Sequence, residues 1–308
     1  MPITELLASI EPQPGPTVAT VGTFDGVHLG HRMLLKRVKK EAKARNARSV
    51  VLVFKEQPKA FFAPEGSTSY LCDFEYRRSL LSEIGIDEII ELEFGSEIQQ
   101  LSSDKFVSGL QKRIGLQALV VGPEAKIGSD RADIRTLVSR KYLNKIDFIT
   151  AHEKKVGGRT VSSSAIRTAI SDGDCDVAAA MLGRNYAITG IVAKGDRRGR
   201  TLGFPTANVE PEIPVTIPAN GIYATIAEVG GKRYFAATSI GVRPTFEHKG
   251  EPTIEAYLLD FEEDLYTKWI RLEFVRRLRD EFAYESVAQL VEQMDRDVEQ
   301  TRQILESR

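Results

Sequence analysis

The sequence predicts an α/β half followed by a β half that one helix closes. Between residues 17 and 150, apolar runs alternate with stretches of helical spacing, the pattern of a mostly parallel sheet covered on both faces. From Tyr186 to about Phe274 the runs shorten and alternate, separated by Gly, Pro and Asn, which reads as an antiparallel barrel or sandwich. The texture changes around Gly183, so the expected domains are 1–184 and 185–308.

Thr17–Gly22 is a short apolar run, the mark of a buried strand. Gly22-Thr-Phe-Asp-Gly-Val-His-Leu-Gly-His31 follows, then Arg32–Arg45 with Met33, Leu34, Val38 and Ala42 at helical spacing. Ser49–Phe54 is a second buried strand, and a Pro/Gly-bearing loop runs from Lys55 to Ser69. Asp73–Gly85 reads as a helix, Asp87–Phe94 as a half-exposed strand, Asp104–Ile114 as a helix and Leu116–Gly122 as a buried strand. Arg131–Tyr142 is helical, Lys145–Thr150 extended, and helical sequence leads to Ser171 and an Asp172-Gly-Asp turn. Strands are then expected at Tyr186–Lys194, Phe204–Val209, Gly221–Val229, Arg233–Ile240, Thr253–Asp260 and Trp269–Phe274. Ser286 and Gln289 form a capping box for the last helix. Val287, Leu290, Val291, Met294, Val298 and Leu305 make its apolar stripe, expected to face the barrel.

The 308 residues are 42% hydrophobic and 28% charged, with net charge −1. That balance argues against a general nucleic-acid or membrane-surface binder. No apolar run approaches the roughly 20 residues of a membrane span. Met1–Glu5 has no basic stretch leading into an apolar core, so no signal peptide is expected. Cys72 and Cys175 are isolated, which fits a reducing, cytoplasmic setting.

The stretch Gly22–His31 lies where a strand hands over to a helix. A helix N-terminus offers unpaired N–H groups and a partial positive charge, which suits phosphate. Gly22, Gly26 and Gly30 let the backbone turn and approach a ligand, and His28 and His31 can donate to phosphoryl oxygens. Nucleotidyl transfer needs little more than such positioning and donors. The competing readings are a pair of core histidines or a metal pair. Two of the four histidines fall among these glycines, and no Cys or third His is near in sequence.

Ser162, Ser163 and Ser164 can cap a helix and bind phosphate, with Arg167 adding a planar fork, although a capped helix with a surface Arg is the commoner meaning. In the second half, Gly190, Gly195, Gly199 and Gly203 suggest backbone wrapping a phosphate chain. Thr206 and Asn208 share a face of an extended segment, and two neutral oxygen ligands suit Mg²⁺. A glycine-rich hairpin with a solvated charge run is the alternative. Glu255 lies in Thr253–Asp260 with Tyr257 and Leu259 on its face, where a partly desolvated carboxylate can act as general base; a surface glutamate on an edge strand is the plain reading.

These residues resemble the bacterial bifunctional riboflavin kinase/FMN adenylyltransferase family over essentially the whole chain. The motifs are Gly22–His31, Ser162–Arg167, Gly199–Asn208, Asn220–Ala224, Ile240–Phe246 and Ile254–Phe261. The resemblance implies a Rossmann-like nucleotidyltransferase domain and a six-stranded flavokinase-type barrel with a terminal helix. It implies that the second half moves the ATP γ-phosphate to the riboflavin 5′-hydroxyl, with Glu255 as base and Thr206 and Asn208 on Mg²⁺. The loop bearing Gly195, Gly199, Gly203 and Pro205 would cover the nucleotide, and Arg279 would lie on the flavin side. The first half would join AMP from ATP to FMN, giving FAD and pyrophosphate by direct attack. Gly22, Phe24, Asp25, His28, Gly30, His31, Ser162, Ser163, Ser164 and Arg167 match the positions that handle ATP there.

Two segments depart from the family pattern. Phe54-Lys-Glu-Gln-Pro58 stands for F-x-P-H-P, and Gly122-Pro-Glu-Ala-Lys-Ile-Gly128 for G-x-[DN]-F-x-F-G. Thr267 replaces a frequent Gly. The second expectation is therefore a riboflavin kinase whose first domain has lost adenylyl transfer and serves binding or regulation.

Overall fold

In the first half the expected parallel sheet forms. A computed structural model describes residues 10–12, 15–58, 60–61, 64, 68–140, 145–194, 198–242 and 252–307. Contacts divide the chain into two units, Met1–Thr68 with Phe74–Val161, and Ser69–Asp73 with Ser162–Arg308.

The first unit runs β1 (Thr17–Gly22), α1 (Leu29–Ala44), β2 (Arg48–Phe54), α2 (Phe74–Ser82), β3 (Glu88–Leu92), α3 (Ser96–Gln100), α4 (Ser103–Ile114), β4 (Leu116–Val121), α5 (Ile134–Ser139), β5 (Asp147–Thr150), and a two-stranded ribbon of β6 (Lys155–Val156) and β7 (Arg159–Thr160). The sheet order is β3-β2-β1-β4-β5, all parallel. Side chains of a strand alternate in direction, so Val18 packs with Val38 and Ala42 of α1 while Ala19 packs with Phe106 and Leu110 of α4. The strands left of β1 and right of it are reached in opposite directions, which opens a crevice beyond the ends of β1 and β4. The ribbon escaped the sequence reading although Gly157-Gly158, at φ 55° and 78°, is a two-residue hairpin signal.

The second unit begins with α6 (Ser163–Ser171) and α7 (Cys175–Leu182). The alanine run of α7 was not read as a helix; Gly183, at φ 76°, ends it. Then come β8 (Tyr186–Ala193), α8 (Arg198–Thr201), β9 (Ala207–Glu210), β10 (Gly221–Val229), β11 (Lys232–Val242), β12 (Pro252–Leu258), β13 (Trp269–Arg279) and α9 (Val287–Glu306). The six strands close as β10-β11-β12-β9-β8-β13, so the open choice between barrel and sandwich resolves to a barrel. Its interior centres on Phe274, edge-on to Tyr223 at 5.4 Å. β13 runs five residues beyond the expected Phe274. Arg276, Arg277 and Arg279 break the apolar alternation there, but Arg277 donates to the Asn220 carbonyl and Arg279 pairs with Asp297.

Ser286 caps α9 as expected, its hydroxyl accepting from the Gln289 N–H at 3.3 Å. The apolar stripe needs correction at Val287, which is 63% exposed. The helix turns Asp297, Thr301 and Leu305 inward, because Asp297 is held by Arg279 through Nε at 2.9 Å and Nη2 at 2.6 Å. Leu305 packs on Ala224 and Val275.

Truncating one partner of a buried ion pair strands the other charge. Asp297→Ala should cost about 3 kcal/mol of stability, read as a lower denaturant midpoint for the barrel unit. A change within error would show that solvent, not Asp297, satisfies Arg279.

Candidate functional site

In the first unit the histidine loop leaves β1 at Gly22 and makes one 3₁₀ turn, Asp25–Val27, before α1. Phe24 at φ 49° and Val27 at φ 38° are left-handed, an uncommon conformation for bulky and β-branched residues. His28 is the N-cap of α1, and its Nδ1 accepts from the His31 N–H at 3.2 Å. A neutral His28 with Nδ1 accepting carries its proton on Nε2. The His28 and His31 rings stack at 3.6 Å and 16°, with Phe24 edge-on to His31 at 5.2 Å. A Cβ on Gly30 would lie 3.1 Å from the His28 ring, so glycine permits this stack.

His31 Nδ1 is buried without a hydrogen-bond partner. Loss of solvent, then the nearness of His28 and the charge of Arg77, hold the His31 imidazole well below its usual value. The resting histidine is therefore neutral at pH 7. Asp25 is 2% exposed and accepts from Gln57 Nε2 at 3.3 Å.

Beyond β1 and β4 lies a cavity of about 590 Å³ whose walls include Gly22, Thr23, Phe54, Phe94, Ala125 and Ile127. Phe94 meets Phe54 and Phe61 edge-on, each at 5.7 Å. Both divergent segments thus reach this crevice, and Ile127 is anchored by paired backbone bonds with Ala132.

The serine motif belongs to the second unit. Ser162 caps α6, its hydroxyl accepting from the Ala165 N–H at 3.2 Å; Ser163 and Ser164 occupy its first turn. Arg167 Nε donates to the Ser69 carbonyl at 3.0 Å. The histidine and serine motifs therefore fall in different units.

In the barrel, Glu255 of β12 pairs in register with Asn208 of β9 and with Ser239 of β11. Thr206 Oγ1 donates to Glu255 Oε2 at 3.3 Å. These three predicted residues come together. Tyr257 shares the Glu255 face and cavity as expected, whereas Leu259 lies past the end of the strand and is buried. Two cavities flank the cluster. One, of about 660 Å³, is bounded by Lys194, Pro205, Thr206, Glu262, Asp264 and Tyr266. The other, of about 280 Å³, is bounded by Gly199, Phe204, Thr206, Glu255, Tyr257 and Arg279, among others. Thr206 lines both.

The glycines divide in role. A Cβ on Gly199 would meet the Phe204 carbonyl at 2.3 Å, so glycine lets the Gly199–Phe204 turn close; Gly203 takes φ 88° in it. Gly190 instead lies inside β8, where a Cβ would strike the Glu210 carbonyl at 2.5 Å, so its place is in barrel packing and not in phosphate wrapping. Gly195 and Arg243–Phe246 lie outside the described residues. Arg279 lines the smaller cavity with its guanidinium engaged by Asp297. Sequence reasoning missed Glu281, which accepts from Ser239 Oγ at 3.4 Å and lines the same cavity. Burial and the Glu255 charge raise its pKa, outweighing Ser239 and Arg279. Its signal was its place two residues after Arg279, the residue expected on the flavin side.

No group of three or more His, Cys, Asp or Glu side chains among the described residues could hold a metal. No helix among them is long and apolar enough to cross a membrane.

A riboflavin kinase family model matches residues 182–305, and an FAD synthetase family model matches residues 10–165. A bifunctional riboflavin kinase/FMN adenylyltransferase of Pseudomonas fluorescens is 33% identical, covering 98% of this chain and 97% of its own. The protein of the same name from Escherichia coli K12 is 34% identical over 93% of this chain and 91% of its own. A crystal structure described as a macrolide-efflux protein from Streptococcus pneumoniae matches with TM-score 0.87 at 31% identity, covering 96% of each chain.

The neutral His31 gives a pH signature. An unfolded histidine, near 6.5, takes up a proton before the folded one as pH falls. The stability from keeping His31 neutral is whole above about 6.5 and is lost as pH falls through the lower folded value. Thermal unfolding of the unliganded protein should move to lower temperature between pH 7 and about 5.5, and less so in His31→Gln. Equal shifts in both would assign the acid sensitivity to other groups.

Proposed function

The chain belongs to the bifunctional riboflavin kinase/FMN adenylyltransferase family and is an enzyme of both activities, and from that premise we propose how its residues divide the two reactions. The kinase-only alternative is not favoured, since both family models match and full-length relatives bear the double name. We assign adenylyl transfer to residues 1–184 and riboflavin phosphorylation to 185–308.

The observation that carries the kinase reading is the convergence of Thr206, Asn208 and Glu255 between two cavities. ATP takes the larger, beside Lys194 and Pro205, and riboflavin the smaller, with Tyr257 and Arg279. Glu255 accepts the proton of the riboflavin 5′-hydroxyl, and the 5′-oxygen bonds the γ-phosphorus as the bond to the ADP oxygen breaks. Two neutral oxygens beside one carboxylate fit a hard divalent cation that takes its other ligands from phosphate and water, so Thr206 and Asn208 would hold Mg²⁺. That ion would neutralise charge on the transferring phosphate. Gly199, Gly203 and Pro205 shape the segment that delivers Thr206, with Gly195 assigned by its motif.

In adenylyl transfer an FMN phosphate oxygen bonds the α-phosphorus of ATP while the bond to pyrophosphate breaks. His28 Nε2–H, His31 and the N–H groups at the start of α1 donate to the phosphoryl oxygens, with Gly22, Phe24, Asp25 and Gly30 forming the loop. Ser162, Ser163, Ser164 and Arg167 are assigned to ATP by their motif. The aromatic-walled crevice at Phe54 and Phe94 suits the flavin ring. Substrates and products are ATP, riboflavin, FMN and FAD, without nucleic acid or membrane, and the setting is the cytoplasm.

Purified protein given FMN, ATP and Mg²⁺ should release FAD and pyrophosphate in equal amounts. His28→Ala should lower FAD formation on the order of 10²–10³-fold and spare FMN formation. Glu255→Gln should suppress FMN formation by about 10²-fold or more and spare conversion of FMN to FAD. Equal loss of both reactions in either variant would sink the division of labour.

A further inference from the structure

Arg77 of α2 is 1% exposed, among the largest fully buried side chains of the molecule. A guanidinium keeps its charge at every working pH, and a buried charge is normally matched by a carboxylate. No carboxylate among the described residues pairs with this one. Its partners are backbone carbonyls: Nη1 donates to Thr23 at 2.7 Å and Phe54 at 3.2 Å, and Nη2 to Lys55 at 2.6 Å. The Phe74 ring lies 5.0 Å from the guanidinium carbon, and Nε is buried without a partner. Carbonyls satisfy the donors but leave the charge uncancelled.

The carbonyls it joins bracket the histidine loop. Thr23 opens that loop, one residue before left-handed Phe24. Phe54 ends β2, and Lys55 leads on to Gln57, which holds Asp25 of the same loop. A neutral donor would satisfy one or two such carbonyls; a planar fork spans all three and adds a fixed positive charge beneath a loop that faces phosphates.

We propose that Arg77 is a positioning residue for adenylyl transfer. Its fork locks the start of the histidine loop to the end of β2, and its unpaired charge draws the anionic nucleotide to that loop. This rests on the assignment of the loop to adenylyl transfer.

The test uses the full chain with Arg77→Lys and Arg77→Gln. FMN-to-FAD kinetics are measured with ATP varied, FMN formation from riboflavin is the internal control, and thermal unfolding reports folding. Lysine keeps the charge and loses the fork: kcat should fall about tenfold, with KM for ATP within about twofold of wild type. Glutamine loses both: the same kcat loss, with KM for ATP raised about tenfold, a difference that salt weakens little because the charge is buried. FMN formation should hold in both.

Identical constants for the two variants would overturn the electrostatic part. Wild-type kcat in both would overturn the clamp. Loss of FMN formation in step with FAD formation, or failure of Arg77→Lys to fold, would make Arg77 a residue of the fold and not of the reaction. Absence of FAD from the wild-type protein would instead remove the assignment of the loop.

Discussion

The pairing of Asn208 with Glu255 across two barrel strands is the constraint on which the proposed kinase site depends. β9 has four residues, yet it is bound on one side to β12 and on the other to β8. A one-residue slip in either ladder would turn Glu255 or Asn208 to the opposite face. Barrel closure forbids the slip, because all six strands would have to shift together. Thr206, just ahead of β9, is brought to Glu255 by the tight Gly199–Phe204 turn. The barrel supplies register, and the turn supplies a third oxygen where two cavities meet.

The site proposed in the first unit is built by another route. A parallel sheet places the ends of β1, β2 and β4 on one edge, so loop after loop opens on the same crevice. Precision there comes from side chains that hold the loop. His28 caps α1, Gln57 holds Asp25, and Arg77 ties Thr23 to the end of β2. Such support is needed because Phe24 and Val27 occupy a conformation that neither favours alone. The barrel fixes side chains through strand register, whereas the sheet edge fixes its loops through individual side-chain hydrogen bonds.

The sequence made legible whatever repeats along the chain. Apolar runs such as Ser49–Phe54 and the alternation of Gly221–Val229 placed strands because burial on two faces, or on one, imposes its own period. The serine cap of α9 was legible because its partner is three residues away. Features set by distant partners were not. β13 continues past Phe274 because its arginines find Asp297 and Asn220. Asp297 joins Thr301 and Leu305 on the inward helix face for the same reason, while Val287 lies exposed. The residues of the two candidate sites were legible as motifs, but Arg77 and Glu281 were not. An arginine inside Phe-Glu-Tyr-Arg-Arg-Ser looks like any exposed helix residue until the carbonyls it meets are known.

The divergent segments bear on how much of the adenylyl-transfer site rests on side-chain identity. Gln57 stands at the histidine position of F-x-P-H-P and still donates a hydrogen bond, to Asp25. Ala125 and Ile127 replace two aromatics, while the crevice they line keeps the rings of Phe54, Phe94 and Phe106 on its walls. Ile127 also keeps its backbone pairing with Ala132, which sets the course of that loop whatever the side chain. A flavin ring needs a flat apolar wall more than a particular residue to provide it. The phosphate end has less latitude, because N–H groups and ring nitrogens must point at oxygens within a few tenths of an ångström. In the proposed adenylyl-transfer site, His28 and the N–H groups at the start of α1 are held for that demand by the Nδ1 cap and the ring stack on His31.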